Sequence, residues 1–132
     1  MTFVDASAVV AILTREPEAD FLALKLERGG PTLFSGFVLM EAALAVARRK
    51  AVSSETAREA VLAFAEAAEA EWVAIDRGVA ELALDAYARF GKGRHPAALN
   101  LGDCFSYACA RAREARLLYK GEDFALTDID AA

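Results

Sequence analysis

Asn100-Leu101-Gly102-Asp103-Cys104-Phe105-Ser106-Tyr107-Ala108 decides how the rest of this chain is interpreted, because it brings an acid to a helix start inside an otherwise apolar segment. From Asp103 to about Arg113, apolar residues recur at spacings of three and four, which predicts a helix with one buried face. The helix dipole favours a carboxylate in the first turn, and Asn100 with Asp103 resembles a capping pair. Asp103 is therefore either a structural cap or a functional acid, and the other acids of the chain bear on the choice.

Composition predicts one compact domain spanning residues 1–132. Hydrophobic residues make up 56% of the chain, with only 3 Pro and 8 Gly, so neither a linker nor a disordered segment is expected. Cys104 and Cys109 have the spacing of neither a zinc pair nor a disulfide framework, which favours buried thiols. The sequence shows no signal peptide and no membrane-spanning run, so we expect a cytoplasmic protein.

The order of apolar runs predicts strands alternating with helices, hence an α/β sandwich with a central, mainly parallel sheet of four to five strands flanked by helices. Strands are expected at 2–5, 31–35, 71–76 and 116–120, with a short edge strand at Thr127–Ile129. Helices are expected at 6–13, from Glu16-Pro17 to the glycines at 29–30, at 36–50, from Ser53 or Ser54 to about 70, and at 79–90.

Three acidic positions follow predicted strands or begin the helix described above. Asp5 ends the first strand, Asp103 begins its helix, and Glu122 or Asp123 follows the last strand. In parallel sheets ligands bind at the carboxyl ends of strands, although Asp5 is also placed to be an ordinary N-cap. Glu41 is a fourth acid within an apolar helix, where a carboxylate is costly unless it is paired, ligated or turned outward. The alternative for Glu41 is a pair with Arg48 or Arg49.

Four carboxylates that converge at one sheet edge repel one another unless a hard divalent cation lies among them. Mg²⁺ suits such a site because it takes oxygen ligands and keeps several waters, and Mn²⁺ is a plausible substitute. The reaction predicted by such a site is phosphoryl transfer to water, since the cation lowers the pKa of a bound water and neutralises charge on the phosphate.

Four motifs together resemble a known family, the PIN domains, and more narrowly the VapC toxins. They are Val4-Asp5-Ala6-Ser7-Ala8, Glu41 in its apolar helix, Asn100–Phe105, and Leu118-Tyr119-Lys120-Gly121-Glu122-Asp123-Phe124. The resemblance extends over essentially the whole chain. It implies a Mg²⁺-dependent endoribonuclease that cleaves structured RNA, often transfer RNA, that is paired with a VapB antitoxin, and that forms a homodimer.

The resemblance also implies a set of site residues. Asp5, Glu41, Asp103 and Asp123 match the catalytic acids of the family, with Asp5 and Asp103 as metal ligands, and Ser7 matches a small polar residue near the metal. Many PIN domains carry the fourth acid at the position of Gly121. Here the Lys-Gly-acid-Asp-Phe ending assigns that role to Asp123, with Glu122 as the metal-proximal alternative.

A basic, glycine-rich loop precedes the opening stretch and contains Lys92, Arg94 and His95. We interpret it as an RNA-binding loop that contacts phosphate, although the chain's net charge of −5 argues against nonspecific binding of nucleic acid. His95, the only histidine, is expected to be solvated or structural rather than catalytic. Two other functions remain open: a noncatalytic RNA- or protein-binding module, and a metal-dependent nuclease that acts on DNA.

Overall fold

A four-stranded, entirely parallel sheet forms the centre of the protein in the computed structural model, which describes residues 1–132. Its strands are β1 (Thr2–Val4), β2 (Thr32–Phe34), β3 (Glu71–Trp72) and β4 (Arg116–Leu118), in the order β3-β2-β1-β4. Phe3 in β1 is aligned with Leu33 on one side and Leu117 on the other. The predicted α/β class and the parallel sheet are confirmed.

Six helices flank this sheet, as the apolar periodicity predicts. They are α1 (Ala6–Leu13), α2 (Ala19–Arg28), α3 (Gly36–Lys50), α4 (Ser54–Ala67), α5 (Arg77–Phe90) and α6 (Leu101–Ala112), and a short 3₁₀ helix follows at Phe124–Leu126. α6 packs against α5, α3, β1 and β4. None of the helices combines the length and the apolar character needed to cross a bilayer.

The two central strands β1 and β2 are buried along their whole length, as parallel strands flanked by helices commonly are. Phe3, Leu33, Phe34 and Leu117 are fully buried in the centre of the core. The chain runs from β1 to β2 and β3 on one side, then returns with β4 on the other side of β1. This reversal places a crevice at the carboxyl ends of β1 and β4, where ligands bind in open α/β sheets.

Capping side chains begin five of the helices, and two of these caps, Asp5 and Asn100, are named from the sequence. Asp5, Ser53, Asp76 and Asn100 each accept a hydrogen bond from a backbone N–H in the first turn of α1, α4, α5 and α6. Ser35 does the same for α3. Each cap satisfies a backbone donor that has no partner within its helix.

Some sequence predictions about elements are wrong. Thr127–Ile129 forms no strand, and the fifth strand is reduced to a single bridge between Leu117 and Ala131. α2 begins at Ala19, so Glu16 and Pro17 precede it, and two of its apolar residues, Phe21 and Leu24, are exposed. Of the predicted strand at 71–76, only Glu71 and Trp72 form β3, and the Val73 N–H donates one further hydrogen bond to the Phe34 carbonyl.

Candidate active site

Asp5 lies at the carboxyl end of β1 and is almost fully buried, with 3% of its surface exposed. Its Oδ2 accepts two hydrogen bonds from Ser7, one from the backbone N–H at 3.0 Å and one from the hydroxyl at 2.6 Å. The Ser7 hydroxyl oxygen in turn accepts the backbone N–H of Lys120, just beyond β4, at 3.0 Å. Ser7 therefore orients Asp5 and connects the ends of the two central strands.

Asp103 is both a cap and an acid of the crevice. Its Oδ2 accepts the backbone N–H of Asn100, while the Asn100 side chain accepts the backbone N–H of Asp103, so the predicted capping box is present. Burial, together with the charges of Asp5 and Asp123, nevertheless raises the pKa of Asp103 to about 6. The Asp103 carboxylate therefore lies near other acids as well as at a helix start.

Glu41 reaches the same crevice from α3. Burial is the main cause that raises the pKa of Glu41 to about 7, with further contributions from the charges of Asp5 and Asp103. The alternative predicted for it is wrong: Arg49 pairs with Glu16, and neither Arg48 nor Arg49 forms an ion pair with Glu41. This carboxylate therefore has acids rather than cations as its charged neighbours.

The fourth acid comes from the turn after β4. Asp123 is exposed at the start of the 3₁₀ helix, with no side-chain hydrogen bond, and its charge contributes to the raised pKa of Asp103. Glu122 is also exposed, but the pKa that its charge raises is that of Tyr119. Of the two adjacent acids, Asp123 is the one coupled electrostatically to the crevice, which favours it as the fourth member.

The acids of the crevice suit a Mg²⁺ ion that keeps most of its waters, rather than an ion enclosed entirely by protein ligands. No three carboxylate, imidazole or thiol groups are arranged to ligate one ion directly. Mg²⁺ is commonly held by one or two carboxylates and keeps several waters, so a pair such as Asp5 and Asp103 is sufficient. Burial and the charges of neighbouring acids raise the pKa values of Glu41 and Asp103, and a cation placed among these acids would stabilise their ionised forms.

The basic loop is closed by a bridge between Gly91 and Leu99, directly before α6. Lys92 and Arg94 are exposed, and the Arg94 guanidinium lies 5.4 Å from the ring centroid of Tyr87. His95 is partly buried: its Nδ1 accepts the Ala97 backbone N–H, and its ring packs edge-on against Phe90 at 5.1 Å between centroids. The structure thus gives His95 a structural role and leaves the two cations accessible.

Both thiols are buried and free, as the sequence predicts. Burial raises the pKa of Cys104 and of Cys109 to about 11, so neither is a thiolate near neutral pH. Neither thiol can therefore serve as the nucleophile of the crevice.

Sequence reasoning missed two features around the acids. Gly102 lies directly against the Glu41 carboxylate, and its only sequence signal is a glycine within a helix start. Lys120 is the second: its ammonium group pairs with Glu16 and Glu18 beside the crevice. No local pattern predicts that pair, because its partners come from distant parts of the chain.

Comparisons with known proteins identify the family of this chain. The family model described as PIN domain matches residues 2–130. A VapC ribonuclease of Rhizobium meliloti is 43% identical over 141 residues, covering 98% of this chain and 99% of that protein. Ribonuclease VapC of Mycolicibacterium smegmatis is 43% identical and covers 97% of each chain.

A solved structure shows the same fold. VapC20 of Mycobacterium tuberculosis, described as a Sarcin-Ricin loop cleaving toxin, has a TM-score of 0.76 at 18% identity, covering 100% of this chain and 98% of that one. The parallel α/β fold and the family match over residues 2–130 define a PIN domain. The chain belongs to the PIN domain family and, within it, to the VapC ribonucleases.

Proposed function

We propose that this protein is a Mg²⁺-dependent endoribonuclease toxin that cleaves RNA by attack of an activated water, with Mn²⁺ able to substitute. The observation that carries the proposal is the convergence of Asp5, Glu41 and Asp103 from three separate elements at the crevice between β1 and β4. Such a cluster is unfavourable for the fold alone, because its carboxylates repel and are partly desolvated. A bound divalent cation offsets both costs.

Asp5 and Asp103 are the residues that would hold the cation, with Ser7 fixing the orientation of Asp5. A bound Mg²⁺ supplies a lowered pKa for a coordinated water and neutralisation of charge on the phosphate. Glu41, a partly buried carboxylate beside Asp5 and Asp103, would take a proton from the attacking water and return one to the leaving oxygen. Asp123 adds negative charge beside Asp103 and helps to attract the cation.

RNA is the substrate favoured by the family, since its curated relatives are named ribonucleases. The similar structure described as a Sarcin-Ricin loop cleaving toxin supports a structured RNA, and transfer RNA belongs to that class. Lys92 and Arg94 are exposed in the loop that leads to α6, where they would contact the phosphate backbone. The net charge of −5 makes such local cations more important, because the protein as a whole repels RNA.

A VapB-type antitoxin is the proposed inhibitor, and the site indicates how it would act in the cytoplasm. An arginine inserted among Asp5, Glu41 and Asp103 would form charge-assisted hydrogen bonds with carboxylates and compete with the cation. The antitoxin complex would then lose Mg²⁺ affinity as well as cleavage. An antitoxin that abolished cleavage and left Mg²⁺ affinity unchanged would contradict this mode of inhibition.

A homodimer is also proposed, formed through an apolar groove between α5 and α6. The groove has a volume of about 340 Å³, and its lining includes Leu84, Tyr87, Leu101 and Phe105. Leu84 is 69% exposed and Leu101 is 67% exposed. An apolar surface of this kind on a small domain marks an interaction site. Light scattering on wild type and on Leu84→Glu tests it, the variant being expected to be monomeric.

The decisive experiment incubates antitoxin-free protein with total RNA and, separately, total DNA, in Mg²⁺, Mn²⁺ or chelator, and maps the ends produced. We expect RNA cleavage that requires metal and is lost in Asp5→Asn. The control is Asp85→Asn, which makes the same change at an exposed acid of α5 and should remain active. Cleavage in chelator would overturn the metal mechanism, cleavage of DNA alone would make the protein a deoxyribonuclease, and RNA binding without cleavage would make it a binding module.

A further inference from the structure

The carboxylate of Glu41 lies directly against the α-carbon of Gly102. A Cβ atom added to Gly102 would lie 2.1 Å from Glu41 Oε2, 2.3 Å from Oε1 and 2.4 Å from Cδ. All three distances are far inside van der Waals contact, so no side chain fits at position 102 while Glu41 keeps its present position. Gly102 belongs to α6 and Glu41 to α3, and their contact lies next to Asp103 in the sequence of α6.

Backbone conformation does not explain this glycine. Positive φ values occur at Gly30, Gly93 and Gly121, whereas Gly102 lies within the first turn of α6. In a helix, glycine costs about 1 kcal/mol relative to alanine. The helix alone would therefore be more stable with alanine, and the feature that requires glycine is the occupied space in front of it.

Gly91 differs from Gly102 in what a side chain would meet. A Cβ atom at Gly91 would lie 2.3 Å from the backbone oxygen of Tyr87, which cannot move without distorting α5. At Gly102 the obstructing atoms are instead the end of a flexible side chain with three rotatable bonds. The least costly response to an added methyl group at position 102 is thus rotation of Glu41 away from the crevice, with both helices left in place.

We propose that Gly102 is a positioning residue: its missing side chain provides the space in which the Glu41 carboxylate stands beside Asp103 and Asp5. Alanine at this position would displace Glu41 and weaken the site while leaving the fold intact or slightly more stable. The inference rests on the proposed function for its consequence in catalysis, but the steric relationship between positions 41 and 102 does not depend on it.

Two further contacts support displacement of the side chain over displacement of the helices. Phe37 of α3 stacks on Phe105 of α6 with ring centroids 5.1 Å apart, one turn from the Glu41–Gly102 contact. Val38 and Ala42, which flank Glu41 on α3, are buried in the core. Separating the two helices would open this packing, whereas rotating Glu41 would not.

The test is a double-mutant cycle of Gly102→Ala and Glu41→Asp. The shorter side chain at position 41 withdraws its carboxylate by one methylene and leaves room for a methyl group at position 102. Each protein is measured for melting temperature without metal, for Mn²⁺ affinity by calorimetry, and for RNA cleavage. The control is Gly36→Ala, at the first residue of α3, where a Cβ atom would meet nothing within 4 Å.

We expect Gly102→Ala to melt no lower than wild type and to lose Mn²⁺ affinity by roughly tenfold or more, as changes around metal ligands commonly do. In the Glu41→Asp background, the same substitution should add little further loss. Gly36→Ala should keep its affinity. A crystal structure of Gly102→Ala should show Glu41 turned out of the crevice.

An additive cycle, an unchanged Glu41 in that crystal structure, or a variant that loses stability and affinity together would overturn the inference. Failure of the proposed function is distinguishable from these outcomes. If wild type binds Mn²⁺ but cuts no RNA, the function is wrong, while the affinities still test the role of Gly102. If wild type binds no metal, the position of Glu41 in the Gly102→Ala crystal structure still shows whether Gly102 positions that side chain.

Discussion

The phenol of Tyr107 donates a hydrogen bond to the carboxylate of Asp128, which anchors the C-terminal segment on α6. Arg111, one turn further along α6, pairs with the same carboxylate at 2.7 Å, and Arg89 of α5 pairs with it at 3.1 Å. Tyr107 lies four residues after Asp103, and Asp128 lies five residues after Asp123. α6 therefore carries one acid of the crevice together with the anchor for the segment that supplies another.

Tyr107→Phe should loosen that segment. The substitution removes the hydrogen bond to Asp128 and the longer one that Arg111 Nε donates to the phenol oxygen at 3.3 Å, so we expect a loss of about 1–2 kcal/mol in the free energy of unfolding. Amide hydrogen exchange should rise most in residues 124–132. The control is Tyr119→Phe, which removes a phenol that makes no hydrogen bond within the protein. Equal changes in exchange for the two variants would contradict an anchoring role for Tyr107.

Ser7→Ala and Ser106→Ala should have opposite effects on stability. Ser7 donates to Asp5 and accepts from Lys120, so its loss should cost about 1 kcal/mol and lower cleavage at limiting Mg²⁺. The buried hydroxyl of Ser106 has no hydrogen-bond partner, so its removal should be neutral or stabilising. Denaturant unfolding of both variants measures the contrast. A stabilising Ser7→Ala would show that the hydroxyl does not hold Asp5.

The convergence of the acids was predictable where topology alone determines position. Asp5 ends a strand and Asp103 begins the helix that leads into the neighbouring strand, so a parallel sheet places both at one edge. The position of the Glu41 side chain was harder to predict from the sequence, because it depends on how α3 packs on α6 and on the space left by Gly102. The contact between those two residues has no counterpart in any local pattern.

The failures also have physical causes. Thr127–Ile129 has the composition of an edge strand, but Asp128 is held by side chains of α5 and α6, and only Ala131 reaches β4. In α2 the apolar residues outnumber the positions that face the core: Leu22 is buried, whereas Phe21 remains 61% exposed. Amphipathic spacing identifies a helix but does not determine how much of its apolar face the neighbouring elements cover.

The metal-free protein should gain stability from Glu41 and Asp103 as the pH falls. Their pKa values are raised to about 7 and about 6 from ordinary values of 4.5 and 3.8. Between the ordinary and the raised values the folded protein binds more protons than the unfolded chain, so stability rises as pH is lowered through that window. Glu41→Gln should therefore be more stable than wild type at about pH 8, and the difference should shrink toward about pH 5.

Thermal melting across this pH range, in chelator, measures that difference. Glu59→Gln is the matched control, since Glu59 is exposed on α4 and forms no ion pair. Its difference from wild type should stay near zero at every pH. A Glu41→Gln advantage that grew as the pH fell would mean that the pKa of Glu41 is lowered rather than raised.

Lys92 and Arg94 should affect RNA binding more than turnover. Replacing both with alanine removes two exposed cations, so KM for RNA should rise severalfold, the salt dependence of binding should weaken, and kcat should change little. His95→Ala should instead lower stability, because it removes the hydrogen bond to Ala97 and the packing on Phe90. Loss of kcat with unchanged KM and stability in His95→Ala would make this residue catalytic.

Asp103→Asn separates the two roles that the structure gives this residue. At neutral pH the charge of Asp103 is unfavourable in the metal-free fold, since raising a pKa from 3.8 to about 6 corresponds to roughly 3 kcal/mol. Replacing the charged carboxylate with a neutral amide removes part of this unfavourable free energy, but it also loses the favourable interaction of the charge with the start of α6. We therefore expect the free energy of unfolding without metal to rise by about 1 kcal/mol. With Mg²⁺, wild type gains binding free energy that the variant largely lacks, so the two melting temperatures should converge or cross.

Asp76→Asn is the matched control for this comparison. Asp76 caps α5 by accepting the Val79 backbone N–H, and it is not among the charges that raise the pKa of Glu41 or Asp103. The Asp76→Asn variant should be slightly less stable than wild type, should respond to Mg²⁺ as wild type does, and should still cleave RNA. Cleavage by Asp103→Asn should instead fall by orders of magnitude. Melting curves over a Mg²⁺ series, run beside the RNA assay, give both answers. If Asp103→Asn instead behaves as Asp76→Asn does, Asp103 is a cap alone, and the acid that holds the cation must be sought at Glu41 or Asp123.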